Sequence, residues 1–231
     1  MKILSIDTST EACSAALVAD EAILERFEIA PSKHSGLILP MIDSLLNEAG
    51  FTVSQLDAIS FSCGPGSFTG LRIAAGVVQG IAVGADLPVI PVSTLAALAQ
   101  YAFEEKNELN VLAALDARMN EVYWGIVRYD NQGQIIHAGK EVVCLPGQVT
   151  VPDEDEWFGV GPGWTRYADD FCNVCTDSTH KHLSWEENVY PHARYIASIP
   201  ARDFAQGKLV APEQAVPVYL RDNVATAKAK K

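Results

Sequence analysis

Two aspartates and two Gly-Pro-Gly turns are the residues of this chain best placed to do chemistry. Asp7 ends the apolar run Lys2–Asp7, and Asp116 ends the matching run Val111–Asp116. Such carboxylates could serve the metal and base that a phosphotransferase needs, and at strand ends they serve equally as caps or turn formers. The turn Ser62-Cys63-Gly64-Pro65-Gly66-Ser67-Phe68-Thr69-Gly70 stands between a buried-strand pattern, Ala58–Phe61, and a helix of small residues from Leu71 to Val83. Such a turn leaves backbone N–H groups pointing one way at the positive end of a helix dipole, which suits phosphate. Asp7, Thr8, Ser9, Gly64, Gly66 and Ser67 are therefore the candidates for weak binding of a nucleotide such as ATP or ADP. No Gly-Lys-Ser/Thr follows the turn, so it is not a P-loop.

Other reactive side chains are scattered. A peptidase needs a nucleophile with a base or a metal-bound water. Ser67 and Cys63 lie on the glycine turn, and the nearest histidine in sequence is His34. Cys63, read as lying at a helix N-terminus, is a candidate for a lowered thiol pKa. Cys172 and Cys175 precede His180 and His182, ligand types that zinc prefers. No second knuckle accompanies them, so the segment also reads as a polar surface connection with incidental Cys and His. The expected metal set is none.

Composition narrows the classes. The chain has 231 residues, 48% of them hydrophobic, and a formal charge of −12. A chain this acidic repels free nucleic acid, so a role in RNA chemistry requires a partner to supply positive surface. Asp7 falls too early for a signal-peptide core, and the apolar run Ile73–Ala85 is interrupted by Gln79 and too short to cross a bilayer. Five cysteines without a secretion signal read as reduced thiols. The expected location is the cytoplasm, with no membrane contact.

The elements that must position these residues occur twice. Lys2–Asp7, Ala12–Ala19 and Ala22–Ile29 read as three strands, followed by a helix whose stripe is Ile38, Met41, Ile42, Leu45, Leu46 and Ala49, closed by Gly50. The strand Ala58–Ser62, the glycine turn, the small-residue helix, a short strand at Pro88–Pro91 and a helix from Ser93 to Glu104 complete the first half. The second half restarts with Val111–Asp116, then strands at Val122–Tyr129 and Gln134–Val143 around the turn Asn131-Gln132-Gly133. Trp157–Trp164 repeats the strand and Gly-Pro-Gly pattern, the acidic run Asp153–Glu156 reads as a surface loop, and Pro191–Gly207 as the last helix. The division expected is 1–108 and 109–231, two mixed-sheet α/β halves around a cleft.

Gly76, Gly80 and Gly84 recur every four residues on one face of the small-residue helix, although each costs about 1 kcal/mol of helix propensity against Ala. Such a face admits close approach of a backbone, either the chain's own sheet or a partner.

The duplicated halves resemble the actin-like ATPase superfold, also described as ribonuclease H-like. In order along nearly the whole chain, Ile6–Ser14, His34-Ser35, Leu39–Ile42, Gly64–Ile73, Pro91–Leu95, Asp116–Trp124, Val160–Trp164 and Pro217–Asn223 resemble the bacterial TsaB (YeaZ) family of tRNA threonylcarbamoyladenosine biosynthesis. The resemblance implies a non-catalytic subunit that supports the catalytic TsaD, works with TsaE, meets tRNA only through the complex, and pairs with itself when alone. The catalytic relative carries a His-x-x-x-His metal site after its Pro-Val strand end; Thr94 and Leu98 stand in those places here. Because the family pairs through helices of its N-terminal half, the resemblance places the interface at Leu37, Met41, Leu45, Arg72, Gly76, Gly80 and Gly84. A nucleotide, if bound, would be weak or at a subunit interface. The segment Pro217–Arg221 has the Tyr/Leu/Arg character of a docking contact, and Ala225–Lys231 reads as a short basic terminus. The competing reading is an enzyme of the same superfold, a metal-dependent phosphotransferase or ATPase, or a glycoprotease-like peptidase.

Overall fold

The computed structural model describes residues 1–20, 22–152, 156–176, 182–199 and 209–221. Five strands form the first sheet: β1 (Lys2–Asp7), β2 (Ala12–Ala19), β3 (Ala22–Ile29), β4 (Ala58–Gly64) and β5 (Val89–Ser93), in the order β3-β2-β1-β4-β5. The first three strands are antiparallel, and β4 and β5 continue parallel to β1. The second sheet contains β6 (Asn110–Arg118), β7 (Glu121–Tyr129), β8 (Ile135–Ala138), β10 (Glu156–Val160) and β11 (His182–Glu186), ordered β8-β7-β6-β10-β11, with the short β9 (Val142–Cys144) also on β7. Each sheet is thus an antiparallel meander followed by two parallel strands, and the repeat in the sequence is a repeat of topology.

The helices stack these sheets into layers. α1 (His34–Ala49) and α2 (Phe68–Ala85) cover the outer face of the first sheet, where Ile38, Ile42, Leu45, Ala74, Val78 and Ala82 meet Leu4, Ile6, Ile59 and Phe61. α3 (Thr94–Lys106) lies between the sheets. Its Ala97 joins Ile3, Ile90 and Val92 of the first sheet, while Leu95, Leu98, Ala99 and Ala102 pack on Val111, Ala113, Leu115 and Val127 of the second. α4 (Pro162–Thr176) covers the far side of the second sheet through Trp164, Tyr167 and Phe171. α5 (Ala193–Ser198), late in the chain, returns to the inner face of the first sheet with Ile196. The two sheets divide between β5 and β6, but α3 and α5 each serve the sheet of the other half.

That return changes the meaning of the alternation along β1, β2 and β4. Ser5, Asp7, Ser14, Ser60 and Ser62 occupy the inward-facing positions, and all are fully buried. They satisfy one another: Ser5 Oγ and Ser60 Oγ are 2.6 Å apart, and Ser14 Oγ accepts the Ala193 backbone N–H at 2.9 Å.

Several local expectations are corrected. Gln134–Val143 is two strands, not one, because Gly139-Lys140-Glu141 breaks the ladder. The described part of the last helix is Ala193–Ser198, and 200–208 lie outside the described residues. So do Asp153–Asp155 of the acidic run and the basic terminus Ala225–Lys231, whereas Glu156 opens β10. α2 starts at Phe68, earlier than the sequence pattern gives; at 18 residues with mean hydropathy 1.4 it is long and apolar enough on composition alone to cross a membrane. Leu71, Ala74, Ala75, Val78 and Ala82 are instead buried beside the first sheet, as in a core helix.

Candidate functional site

The glycine turn, the β1–β2 turn and the end of β6 line a cleft of about 600 Å³ between the two halves. Ser9, Gly66 and Ser67 line it from one side, Asp116 and Arg118 from the other, with Phe68, Ile73, Tyr219 and Arg221 at its edges. Asp7, Thr8 and Gly64 lie behind this lining, and all three are buried.

The reason is local packing. Asp7 is fully buried, and its carboxylate accepts from the Ser9 hydroxyl at 2.9 Å, from the Ser9 N–H at 3.1 Å and from the Ser62 hydroxyl. Thr8 Oγ1 donates to the Gly70 carbonyl at 2.7 Å, and the Ser67 N–H donates to the Ser9 carbonyl at 2.7 Å. A Cβ on Gly66 would lie 2.5 Å from that Ser9 oxygen. The glycines let the turn close onto the neighbouring backbone, and the Ser67 N–H is taken up by the Ser9 carbonyl.

The opposite wall is equally engaged. Asp116 accepts from the Arg118 N–H at 2.9 Å, from the Tyr167 hydroxyl at 3.2 Å and from Arg166 Nη1 at 3.3 Å. Arg118 also reaches across the cleft to Glu11 at 2.7 Å. Asp116 is held by cations rather than left open to one, and among the described residues no group of His, Cys, Asp and Glu could hold a metal ion. The Cys172/Cys175 and His180/His182 set falls largely on side chains outside the described residues.

Burial pushes the Asp7 carboxyl above the ordinary aspartate range, against the hydrogen bonds from Ser62 and Ser9 that lower it. The folded chain therefore keeps this proton to higher pH than the unfolded chain, whose carboxyl titrates near 3.8. Its contribution to stability is complete below that value and is lost as pH rises through the folded pKa. Asp7→Asn removes that loss, so stability from urea unfolding should fall less steeply with rising pH in the variant than in the wild type; equal slopes would contradict the assignment.

The nucleophile candidates are engaged in the fold in different ways. Cys63 lies on the buried β4 strand, five residues before α2 begins, and burial with nearby Glu141 pushes its thiol up to about 12. This corrects the expected lowering. His34 Nε2 lies 3.0 Å from the Ala12 carbonyl, and Ser67 Oγ caps α2 by accepting the Gly70 N–H at 3.4 Å. Thr94 and Leu98, in the two histidine places, are both fully buried. The Thr94 hydroxyl is buried without a hydrogen-bond partner among the described residues. Thr94→Val removes that unmet group at nearly constant shape, so the chain should gain about 1 kcal/mol in urea unfolding; a loss would show that the hydroxyl has a partner.

The helix surface holds the clearest exposed feature. Gly76, Gly80 and Gly84 are solvent-exposed, and a Cβ at any of them would meet nothing within 4 Å. The glycines are not required by the chain's own packing. Arg72 is exposed beside them, with its guanidinium 3.8 Å from the centre of the Phe68 ring. Leu37 and Met41 are half-buried against the α1 core, but Leu45 is fully buried and belongs to that core rather than to an interface. Leu39, 53% exposed, is the large apolar residue that α1 presents, a position the stripe in the sequence did not single out because it falls outside it.

The fold and cleft place the chain in the actin-like superfold class, as a duplicated α/β protein related to a threonylcarbamoyl-transfer enzyme. The family model TsaD, described as tRNA N6-adenosine threonylcarbamoyltransferase, matches residues 27–229. The tRNA threonylcarbamoyladenosine biosynthesis protein TsaB of Escherichia coli (strain K12) is 42% identical over 99% of this chain and 98% of its own length. That of Haemophilus influenzae is 40% identical over 97% and 95%. The structure of YeaZ from Pseudomonas aeruginosa superposes with a TM-score of 0.86 at 44% identity, covering 95% of this chain and 99% of that one. The chain belongs to the TsaB (YeaZ) family of tRNA threonylcarbamoyladenosine biosynthesis proteins.

Proposed function

We propose that the chain is a non-catalytic assembly subunit in the synthesis of threonylcarbamoyladenosine beside the tRNA anticodon. It binds and supports the catalytic TsaD subunit through the exposed face of α2. The observation that carries this reading is the row Gly76, Gly80 and Gly84, which gives up about 1 kcal/mol of helix propensity at each position with no internal contact in return. A backbone can approach closely there, so a helix from another chain is the natural occupant. The non-catalytic part is supported by the engaged cleft: Asp7 is sealed, Asp116 is paired with arginines, and Thr94 and Leu98 are core residues. In this reading TsaE and tRNA join through the complex, two copies pair on the same face when TsaD is absent, any ATP or ADP is held weakly or at the interface, and the assembly works in the cytoplasm.

The test is to mix the chain with TsaD, measure mass by light scattering, and assay ATP hydrolysis before and after. The expected result is a mixed complex and no turnover by the chain alone. Turnover by the chain alone would favour the phosphotransferase reading and overturn this one, as would failure to form the complex.

A further inference from the structure

The segment Leu209–Arg221 follows the described part of α5 and runs along the molecule without forming a regular element beyond one turn, Pro212–Gln214. Val210 pairs antiparallel with Val89 at the edge of β5. Ala215, fully buried, accepts from Gln79 of α2 at 3.1 Å. The Val218 N–H donates to the Cys63 carbonyl at 2.7 Å, and the Val218 carbonyl lies where a Cβ on Gly64 would be, at 2.4 Å. Tyr219 then reaches the α2 surface: its hydroxyl accepts from Arg72 Nε at 3.2 Å, and its ring lies 5.5 Å from that of Phe68.

Phe68 and Arg72 precede Gly76 by about two turns and one turn of α2, each four-residue step turning about 40° round the helix, so Tyr219 rests on the stretch of α2 that leads into the glycine row. Phe68 is 48% and Tyr219 44% exposed, which leaves both rings accessible from outside.

Two residues later the segment crosses to the second sheet. Arg221 pairs with Glu121, donates to the Met119 sulfur at 3.7 Å, and approaches the Arg118 carbonyl at 3.5 Å. These three residues belong to the β6–β7 hairpin, where Arg118, Met119 and Asn120 have φ of 63°, 55° and 59°. A run of left-handed residues without a glycine costs about 1 kcal/mol or more per residue and persists where its surroundings hold it. From this hairpin Arg118 extends to Glu11 across the cleft.

We propose that Leu209–Arg221 is a tie that couples the exposed α2 face to the hairpin bridging the cleft: Tyr219 fastens it to α2, and Arg221 holds the hairpin in its left-handed form. This rests on the docking reading above and names how that surface communicates with the cleft. A partner seated on Phe68 and Arg72 shifts Tyr219, and the shift reaches Arg118 through two residues of chain.

Hydrogen exchange read by mass spectrometry tests both parts. On the full chain alone, Arg221→Ala should speed exchange of the hairpin amides at 117–122 by about tenfold or more, with α1 unchanged as an internal reference. Tyr219→Ala should do the same to a smaller extent. Unchanged hairpin exchange in both variants would overturn the tie. Adding TsaD to the wild type should change hairpin exchange, and in Arg221→Ala that change should vanish while light scattering still shows the complex. An equal change in wild type and variant would overturn the coupling. Absence of binding by the wild type overturns the docking reading and the coupling with it, while the comparison on the chain alone still decides the tie.

Discussion

Gly80→Leu should abolish association with TsaD while leaving the isolated chain slightly more stable. The two effects have opposite signs because they act on different contacts. Within the chain a Cβ at position 80 meets nothing within 4 Å, and Leu is a better helix former than Gly by nearly 1 kcal/mol. Urea unfolding of the variant should therefore show unchanged or raised stability. At an interface where two helix backbones approach closely, the same side chain forces them apart, and a loss of about a hundredfold in affinity (about 2.7 kcal/mol) is the smallest effect consistent with a glycine-mediated contact. Light scattering and a titration with TsaD provide the readout. A variant that binds TsaD normally would remove α2 from the interface.

Gly70→Ala should be the most damaging small substitution in the chain. The added Cβ would lie 1.9 Å from the Thr8 carbonyl oxygen and 3.0 Å from its carbon. Both are backbone atoms, and Thr8 is itself held by the hydrogen bond from its hydroxyl to the Gly70 carbonyl. Neither the β1–β2 turn nor the first turn of α2 can yield without disturbing Asp7, Ser9 and Ser67, so the expected loss is about 3 kcal/mol or more in urea unfolding, at the upper end for single substitutions. Gly36→Ala is the matching control. Gly36 lies in α1 with nothing within 4 Å of its Cβ position, so that variant should gain up to about 1 kcal/mol. Equal effects at the two positions would show that the turn at 64–70 is not packed on the β1–β2 turn.

Much of the architecture was legible because the pattern is written twice. Asp7 ends β1 and Asp116 stands two residues before the end of β6, the equivalent central strand, and both Gly-Pro-Gly turns lead from a strand into a helix. What the sequence does not display is which faces are covered by distant segments. Ser5, Ser14, Ser60 and Ser62 alternate with apolar residues as if facing water, and α3 together with α5, which arrives nearly two hundred residues after Ser5, makes them interior. The same arrangement seals Asp7, which by type and position read as a phosphate ligand. Leu45 misled for the reverse reason: a helical stripe shows which residues share a face, but not whether that face meets the chain's own sheet or another molecule. The glycines of α2 were legible as a face, and their open surroundings give that face its direction.

The exchange of helices between the halves bears on the order in which the protein can form during synthesis. Translation delivers the whole first sheet, with α1, α2 and α3, long before α5 leaves the ribosome. Until then the serine-lined side of that sheet lacks the part of its cover that α5 supplies, and α3 has no second sheet to pack against. A fragment ending near residue 108 would expose Leu95, Leu98 and Ala99 on one side and the buried Asp7 on the other. The duplication that shaped this chain therefore did not leave two separable proteins: the nascent first half waits for the second, and the pair becomes stable as one cooperative unit.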